Sequence, residues 1–318
     1  MSTVCILGAG ALGSLWAARL SNTHTVKIIP RLNKKSSLSG YDFSLQDAET
    51  TTTYHLPYLP LSSLPDGPLS ENTRASSPSV ILLVFCKSFD TLPALTAIKP
   101  YLPHHIPIVL FQNGLGSQVE VGKAFPDHPV YAAVTTEGAN RKTPQHIIHA
   151  GRGSTWIGPF NKQATMAGAK EACAVLADSG LEVSAEADIT LRLWKKLAVN
   201  CAINPMTALL NCPNGELPSQ PYFTARYTTL CKELVLIMQL TIGYETTSDA
   251  LKAQIDEVIR KTAQNISSML QDLRAGRKTE IEDICGYLVK EARQQNIACP
   301  TITQLYQDVL ALATTGSQ

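Results

Sequence analysis

Over roughly the first 187 residues the hydrophobic positions come in short unbroken runs, whereas after about Asp188 they recur at helical spacing. The runs at residues 4–7, 26–29, 80–85, 106–111 and 130–135 are rich in Val and Ile and do not alternate with polar residues. Such runs predict strands buried on both faces, as in a parallel sheet covered by helices. The stretch 31–79 breaks the pattern: it is rich in Ser, Thr and Pro, includes the cluster Thr50-Thr51-Thr52-Thr53, and dictates no particular element, short strands in a long excursion being one reading.

The later segments predict an all-helical half. In one of them Ile281, Ile284, Cys285, Leu288 and Ala292 follow i, i+3, i+4, i+7, i+11 and form one apolar stripe. Thr279 with Glu282 three residues on matches a capping box after the stop signal of Gly276, which predicts Glu280 in the first turn. A chain of 318 residues is long for one core. We expect two domains, an α/β dinucleotide-binding domain of Rossmann type at 1–187 and an all-α substrate and catalytic domain at 188–318.

Charge narrows the partners. Lys and Arg number 27 against 26 Asp and Glu, a formal net charge of +1, with no basic stripe of the kind that nucleic-acid binders carry. Lys34-Lys35 and Lys195-Lys196 are the tightest basic pairs and read as solvated charges. A small-molecule partner is expected, and neither nucleic acid nor membrane. The eight cysteines are scattered singly, without a Cys-x-x-Cys pair, so neither a zinc site nor thiol exchange is indicated. Free thiols in apolar runs fit a reducing compartment and favour the cytoplasm. The opening residues lack the basic region of a signal peptide, so no cleaved leader is expected. No run of eighteen apolar residues is present to span a membrane.

Gly8-Ala9-Gly10-Ala11-Leu12-Gly13 follows the first apolar run and opens a helix-forming segment, the strand, loop and helix context of a dinucleotide fingerprint. One glycine permits the tight turn, one lets backbone amides approach a pyrophosphate, and one lets helix and strand pack closely. The second strand ends in Arg31, where NAD-binding proteins place an acid for the ribose hydroxyls. An arginine fork suits a 2′-phosphate instead, which favours NADP, with a surface arginine as the competing reading. Pro30 leaves the direction of that side chain open. Cys86-Lys87-Ser88 and Phe111-Gln112-Asn113-Gly114 fall at two further strand ends, the edge at which open α/β sheets bind ligands. A solvated loop lysine and an ordinary Asn-Gly turn explain them equally well.

The most informative segment runs from Leu193 to Pro205. At 100° per residue Lys196, Asn200 and Asn204 fall within an arc of about 80°, with mostly apolar residues elsewhere. Buried polar groups without partners cost about 1–3 kcal/mol each, so this stripe points to a ligand-filled cleft, with a hydrogen-bonded structural stripe as the alternative. A second helix is expected to place Asn265, Ser268 and Asp272 on one face, with an exposed polar face as the commoner explanation.

Together these segments resemble the ketopantoate reductase (2-dehydropantoate 2-reductase) family over nearly the whole chain except 32–79. The resemblance rests on the glycine loop, Lys87, Gln112-Asn113-Gly114, Thr135-Thr136-Glu137-Gly138-Ala139, His149-Ala150-Gly151-Arg152-Gly153, Trp194-Lys195-Lys196-Leu197, Asn200-Cys201-Ala202-Ile203-Asn204-Pro205, Asn211-Cys212-Pro213-Asn214-Gly215-Glu216-Leu217, Ser267-Ser268-Met269-Leu270-Gln271-Asp272 and Thr279-Glu280-Ile281-Glu282, in that order. It implies a helical domain like the C-terminal domain of 6-phosphogluconate dehydrogenase. It further implies NADPH-dependent reduction of ketopantoate to (R)-pantoate, toward pantothenate and coenzyme A, without a metal, by a monomer or homodimer.

By the same resemblance Lys196 is the general acid and Glu280 a catalytic and cofactor-facing group that closes the far side of the cleft. Gly8, Ala9, Gly10, Ala11, Leu12, Gly13, Arg31, Lys87, Asn113 and Ala139 hold the cofactor, while Asn113, Lys196, Asn200, Asn204, Asn214 and Ser268 hold the substrate. Burial is expected to lower the Lys196 pKa and a nearby Glu280 carboxylate to restore it. Cys285-Gly286 departs from the Asn-Gly of many members. Two rivals stay open: a reductase of another branched 2-oxo acid, and a cofactor-sensing protein that has kept the fold without catalysis.

Overall fold

The structure is a computed structural model and describes residues 1–30, 40–59 and 80–315. The chain divides into two compact units, residues 1–112 with 117–190 and residues 113–116 with 191–318.

In the first unit all five predicted runs are parallel strands of one sheet. These are β1 (Thr3–Leu7), β2 (Thr25–Ile29), β5 (Val80–Val84), β6 (Ile108–Leu110) and β7 (Val130–Thr135). The sheet has seven strands in the order β2-β1-β5-β6-β7-β10-β11. It is completed by β10 (Ser154–Pro159), antiparallel to β7, and by β11 (Glu182–Ala185), parallel to β10. Neighbouring side chains on a strand point to opposite faces, and each face here has its own apolar core. Val4, Ile6, Leu83 and Val109 enter one core, while Cys5, Leu7, Leu82, Val84, Ile108 and Leu110 enter the other. Burial on both sides is the reason the runs show no alternation.

The excursion contributes more than short strands. β3 (Gly40–Asp47) and β4 (Thr50–Pro57) form a long antiparallel hairpin, and β3 pairs in parallel with β9 (His146–Gly151), itself the partner of β8 (Gly138–Thr143). This second sheet, ordered β4-β3-β9-β8, packs on α1 (Ala11–Leu20) from the side opposite the large sheet. Phe43, Leu45, Leu56 and Ile147 join Leu15, Trp16 and Leu20 in the same core. Trp16 is fully buried, tilted against Phe111 with ring centroids 5.7 Å apart. The unit also contains α2 (Ser88–Ile98), α4 (Met166–Ala177) and most of α3 (Gly116–Ala124).

The second unit is helical, built from α5 (Ile189–Leu210), α6 (Pro221–Ile242), α7 (Ser248–Lys261), α8 (Ser268–Arg274), α9 (Tyr287–Gln294) and α10 (Pro300–Thr315). Proline opens α6 and α10, where its missing N–H costs no helical bond. Gly243, with φ of +67°, closes α6 in the left-handed conformation that glycine adopts without a Cβ penalty. The buried Glu233 carboxylate of α6 accepts the N–H of Thr301 at 2.9 Å and of Ile302 at 3.0 Å, and so caps α10 from another helix. Among the described residues no helix is long and apolar enough to cross a membrane.

Two helix starts differ from the sequence reading. Asn265 lies in the loop after α7, so it shares no helical face with Ser268 and Asp272. The start has moved because the Ser267 side chain accepts the Leu270 N–H at 3.2 Å and caps α8 there. Glu280 is not in a first turn either: it precedes the helix, and its carbonyl accepts the Ile284 N–H at 3.1 Å. A π-helical turn, Glu282–Gly286, leads into α9, and the Glu282 carboxylate is taken by the Tyr306 hydroxyl instead of closing a capping box. The apolar stripe itself, Ile281, Ile284, Cys285, Leu288 and Ala292, is buried throughout.

Candidate functional site

In the first unit the glycine loop joins the end of β1 to α1, and its three glycines meet three different constraints. Gly8 has φ of +97°, and a Cβ there would lie 2.6 Å from the Cys86 backbone nitrogen. Any other residue would be strained and would clash. A Cβ on Gly13 would run into the Gly8 carbonyl oxygen and approach Phe85 Cβ to 3.1 Å, so close helix-to-strand packing requires glycine here as well. Gly10 is the reverse case, because a Cβ there would meet nothing within 4 Å. It is also the N-cap residue of α1, it supplies no side-chain cap, and the first turn carries no acid. Ala11 and Leu12 follow it in that turn. An open face at Gly10 and the positive end of the helix dipole fit the pyrophosphate of a dinucleotide.

Lys87 is half-buried just before α2, at the carboxyl end of β5. The adjacent Cys86 backs directly on Gly8, which brings this strand end beside the glycine loop. Gln112, considered with its neighbours as a crevice-lining group, is instead buried structure: its amide donates to the Val84 carbonyl at 2.9 Å and to the Cys86 carbonyl at 3.2 Å. Ala139 is half-buried on β8, the strand that packs on α1. Arg31 lies outside the described residues.

In the second unit Lys196, Asn200 and Asn204 sit at i, i+4 and i+8 along α5. Asn204 is buried, whereas Lys196 and Asn200 are half-buried. Burial drives the Lys196 pKa down to about 8, against the opposing pull of the Glu280 carboxylate, itself only 5 % exposed. A lysine of this kind is charged at neutral pH yet close enough to its pKa to give up a proton.

Asn214 is buried, donates its amide to Thr262 Oγ1 at 2.9 Å, and keeps a buried Oδ1 with no hydrogen-bond partner among the described residues. Ser268 is exposed at the start of α8. Asn113 belongs to the short segment 113–116 counted with this unit, which is held where the Leu115 N–H donates to the Asp283 carbonyl at 3.2 Å. Gly114 in that segment has φ of +82°.

Two motifs turn out to serve each other. Glu137 Oε2 lies 2.7 Å from His149 Nε2, with both side chains almost wholly buried. Asp47 at the end of β3 accepts from Arg19 of α1 and, at 3.0 Å, from Arg152. Burial would raise the Asp47 carboxyl, but the Arg19 hydrogen bond and charge, with Arg152 and His149, hold it below the ordinary value. This network ties α1 to the second sheet. The sequence reading did not single out Tyr41 or Arg141 of that sheet, both of which reach the glycine loop. Among the described residues no group of His, Cys, Asp and Glu could hold a metal ion.

An α/β dinucleotide-loop unit and a helical unit with a half-buried lysine define an oxidoreductase-like class of fold. Residues 4–162 match the family model "Ketopantoate reductase PanE/ApbA" and residues 188–313 match "Ketopantoate reductase PanE/ApbA C terminal". The chain belongs to the ketopantoate reductase family. It is 33 % identical to a 2-dehydropantoate 2-reductase of Vibrio cholerae, with 99 % of each chain covered. To that of Salmonella typhimurium it is 35 % identical, covering 96 % of this chain and 93 % of the other. Among solved structures, the ternary structure of D-mandelate dehydrogenase with NADH and anilino(oxo)acetate superimposes with a TM-score of 0.85 at 19 % identity, over 99 % of this chain and 100 % of that one. At that identity the likeness is one of fold.

Proposed function

We propose that the chain reduces ketopantoate to (R)-pantoate with NADPH, toward pantothenate and coenzyme A, in the cytoplasm and as a monomer or homodimer. The observation that carries this reading is the Lys196 ammonium, brought to a pKa of about 8 by burial and sustained by Glu280, on the helix face that also bears Asn200 and Asn204. The relatives named 2-dehydropantoate 2-reductase supply the substrate, and their similarity runs nearly end to end.

We place cofactor binding in 1–187 and substrate binding and proton donation in 188–318. Gly8, Ala9, Gly10, Ala11, Leu12 and Gly13 would cradle the pyrophosphate, Lys87 would serve the adenosine phosphate, a role we also assign to Arg31 from the sequence alone, and Asn113 and Ala139 would complete the cofactor contacts. When bound, NADPH would supply the hydride for C2 of the substrate. Negative charge then builds on the carbonyl oxygen, where Lys196 Nζ stabilises it and delivers a proton. Asn200, Asn204 and Ser268 present amide and hydroxyl donors to the substrate's carboxylate and hydroxyl oxygens, and Asn214, whose amide is taken by Thr262, offers its buried Oδ1 as an acceptor for a substrate hydroxyl. Glu280 holds Lys196 protonated between turnovers.

Steady-state assays following NADPH oxidation with ketopantoate and with 2-oxoisovalerate, each repeated with NADH, test the reading. We expect ketopantoate with NADPH to give the highest kcat/KM. Preference for 2-oxoisovalerate would reassign the substrate, preference for NADH the cofactor, and tight NADPH binding without turnover on either acid would refute the enzymatic reading.

A further inference from the structure

We propose that Arg141, on the second sheet, is a ligand of the dinucleotide's pyrophosphate; this rests on the cofactor reading given above and extends it to a residue outside the glycine loop. Arg141 lies on β8 and is exposed, yet its guanidinium is not adrift. Nη2 donates to the carbonyl oxygen of Ala9, the residue between the first two loop glycines, and to the Tyr41 hydroxyl at 3.0 Å. Tyr41 is itself fixed: its ring stacks on Phe43 with centroids 4.9 Å apart, and its hydroxyl lies 3.0 Å from Ser14 Oγ on α1.

The strand register explains why this side chain arrives at the loop. Ala139, Asn140 and Arg141 pair in regular succession with His149, Ile148 and Ile147, so Ala139 and Arg141 share one face of β8. On the opposite strand, Ile147 of the Arg141 pair is fully buried in the core that contains α1. The arginine therefore extends along the side of the sheet that covers α1.

Charge gives the placement its purpose. Among the described residues no carboxylate pairs with Arg141, and both partners of Nη2 are neutral, which leaves a positive charge uncompensated beside a helix N-terminus whose first turn has no acid. Two sources of positive potential side by side repel each other unless an anion joins them. A guanidinium braced on one nitrogen keeps its remaining N–H groups for the paired oxygens of a phosphate, and the bracing lowers the entropy lost on binding. Since Ala9 belongs to the loop that cradles the pyrophosphate, the matching anion is the pyrophosphate common to NADH and NADPH and not the 2′-phosphate that separates them.

The test is equilibrium titration of the full chain and of R141M, R141K and Y41F with NADPH, NADH, ADP-ribose and adenosine 2′-monophosphate. Thermal unfolding without ligand is measured alongside. R141M should weaken NADPH, NADH and ADP-ribose alike by about ten- to a hundredfold, the worth of one charge-assisted hydrogen bond, and leave adenosine 2′-monophosphate unchanged. R141K should recover part of the loss, and Y41F, which keeps the charge but loosens its brace, should weaken the same three ligands by less than R141M. Unchanged affinities in R141M would overturn the proposal. Loss confined to NADPH would also overturn it, by placing the guanidinium on the 2′-phosphate. Equal loss of adenosine 2′-monophosphate with a lowered unfolding temperature would overturn it in favour of a purely bracing role. Failure of the unsubstituted chain to bind any of the four would instead refute the cofactor reading, and that outcome is read before any variant is compared.

Discussion

Replacing Glu280 by Gln probes the central chemical claim, because it removes a charge acting on Lys196 while keeping the side chain's size. Lys196 has a pKa of about 8, the outcome of burial pulling down and Glu280 pulling up. A general acid works in its protonated form, so kcat/KM should be level below pH 8 and fall above it, with about one-tenth of the activity left a unit higher. An opposite charge at close range is worth about 1–3 pKa units, so the variant's limb should move to about pH 7 or lower. At pH 8 the protonated fraction would then fall from about one-half to about one-tenth or less, whereas near pH 5 to 6 much of that difference vanishes. Initial rates of NADPH oxidation across pH 5.5–10, in buffers of constant ionic strength, read the limb directly. Only its position matters, since Glu280 could also affect binding. A profile flat to pH 10 would show that Lys196 is not the titrating acid, and a limb that stays in place in E280Q would show that Glu280 does not set its pKa.

Lys196→Ala should keep NADPH affinity and lose about 10²–10⁴ in kcat, and near-normal turnover would remove Lys196 from the mechanism. Gly13→Ala forces a methyl group against the Gly8 carbonyl and should cost about 1–3 kcal/mol, seen as weaker dinucleotide binding and a lower unfolding midpoint; an unchanged variant would contradict the loop packing. Glu233→Ala strips the first N–H groups of α10 of a buried acceptor and should cost about 1–3 kcal/mol in urea unfolding, with no change expected in a variant whose cap is unimportant. Asp47 has its carboxyl held low, so its contribution to stability is complete above about pH 4 and is lost as the pH falls through the depressed folded value. D47N should therefore be less stable at neutral pH but lose less on acidification, and parallel stability curves would disprove the network's role.

What could be read in advance followed from burial. Residues 4–7 and 80–84 announced strands because cores on both sheet faces demand apolar residues at every position. The Lys196 face of α5 was legible because three polar groups interrupt an otherwise apolar helix. The second sheet was not, for two reasons. Thr50, Thr51, Thr52 and Thr53 face solvent on its outermost strand, so they carry no hydrophobic pattern, and β3 finds its partner β9 about a hundred residues away, as in Ser44 with His146. The start of α8 was misplaced because Ser267, rather than a residue further upstream, satisfies the first N–H groups. Arg141 was invisible for the same reason as its sheet: only the fold reveals that its strand crosses the glycine loop.

Because α1 is enclosed by sheets on both sides, the loop at its head has no independent freedom to adjust. A lesion remote from the nucleotide, such as truncation of Phe43 or Ile147, would tilt the helix and be felt as poorer coenzyme retention even though no contacting atom had changed. Screens that assign residues to coenzyme recognition by loss of affinity alone would therefore count supports of α1 among its ligands.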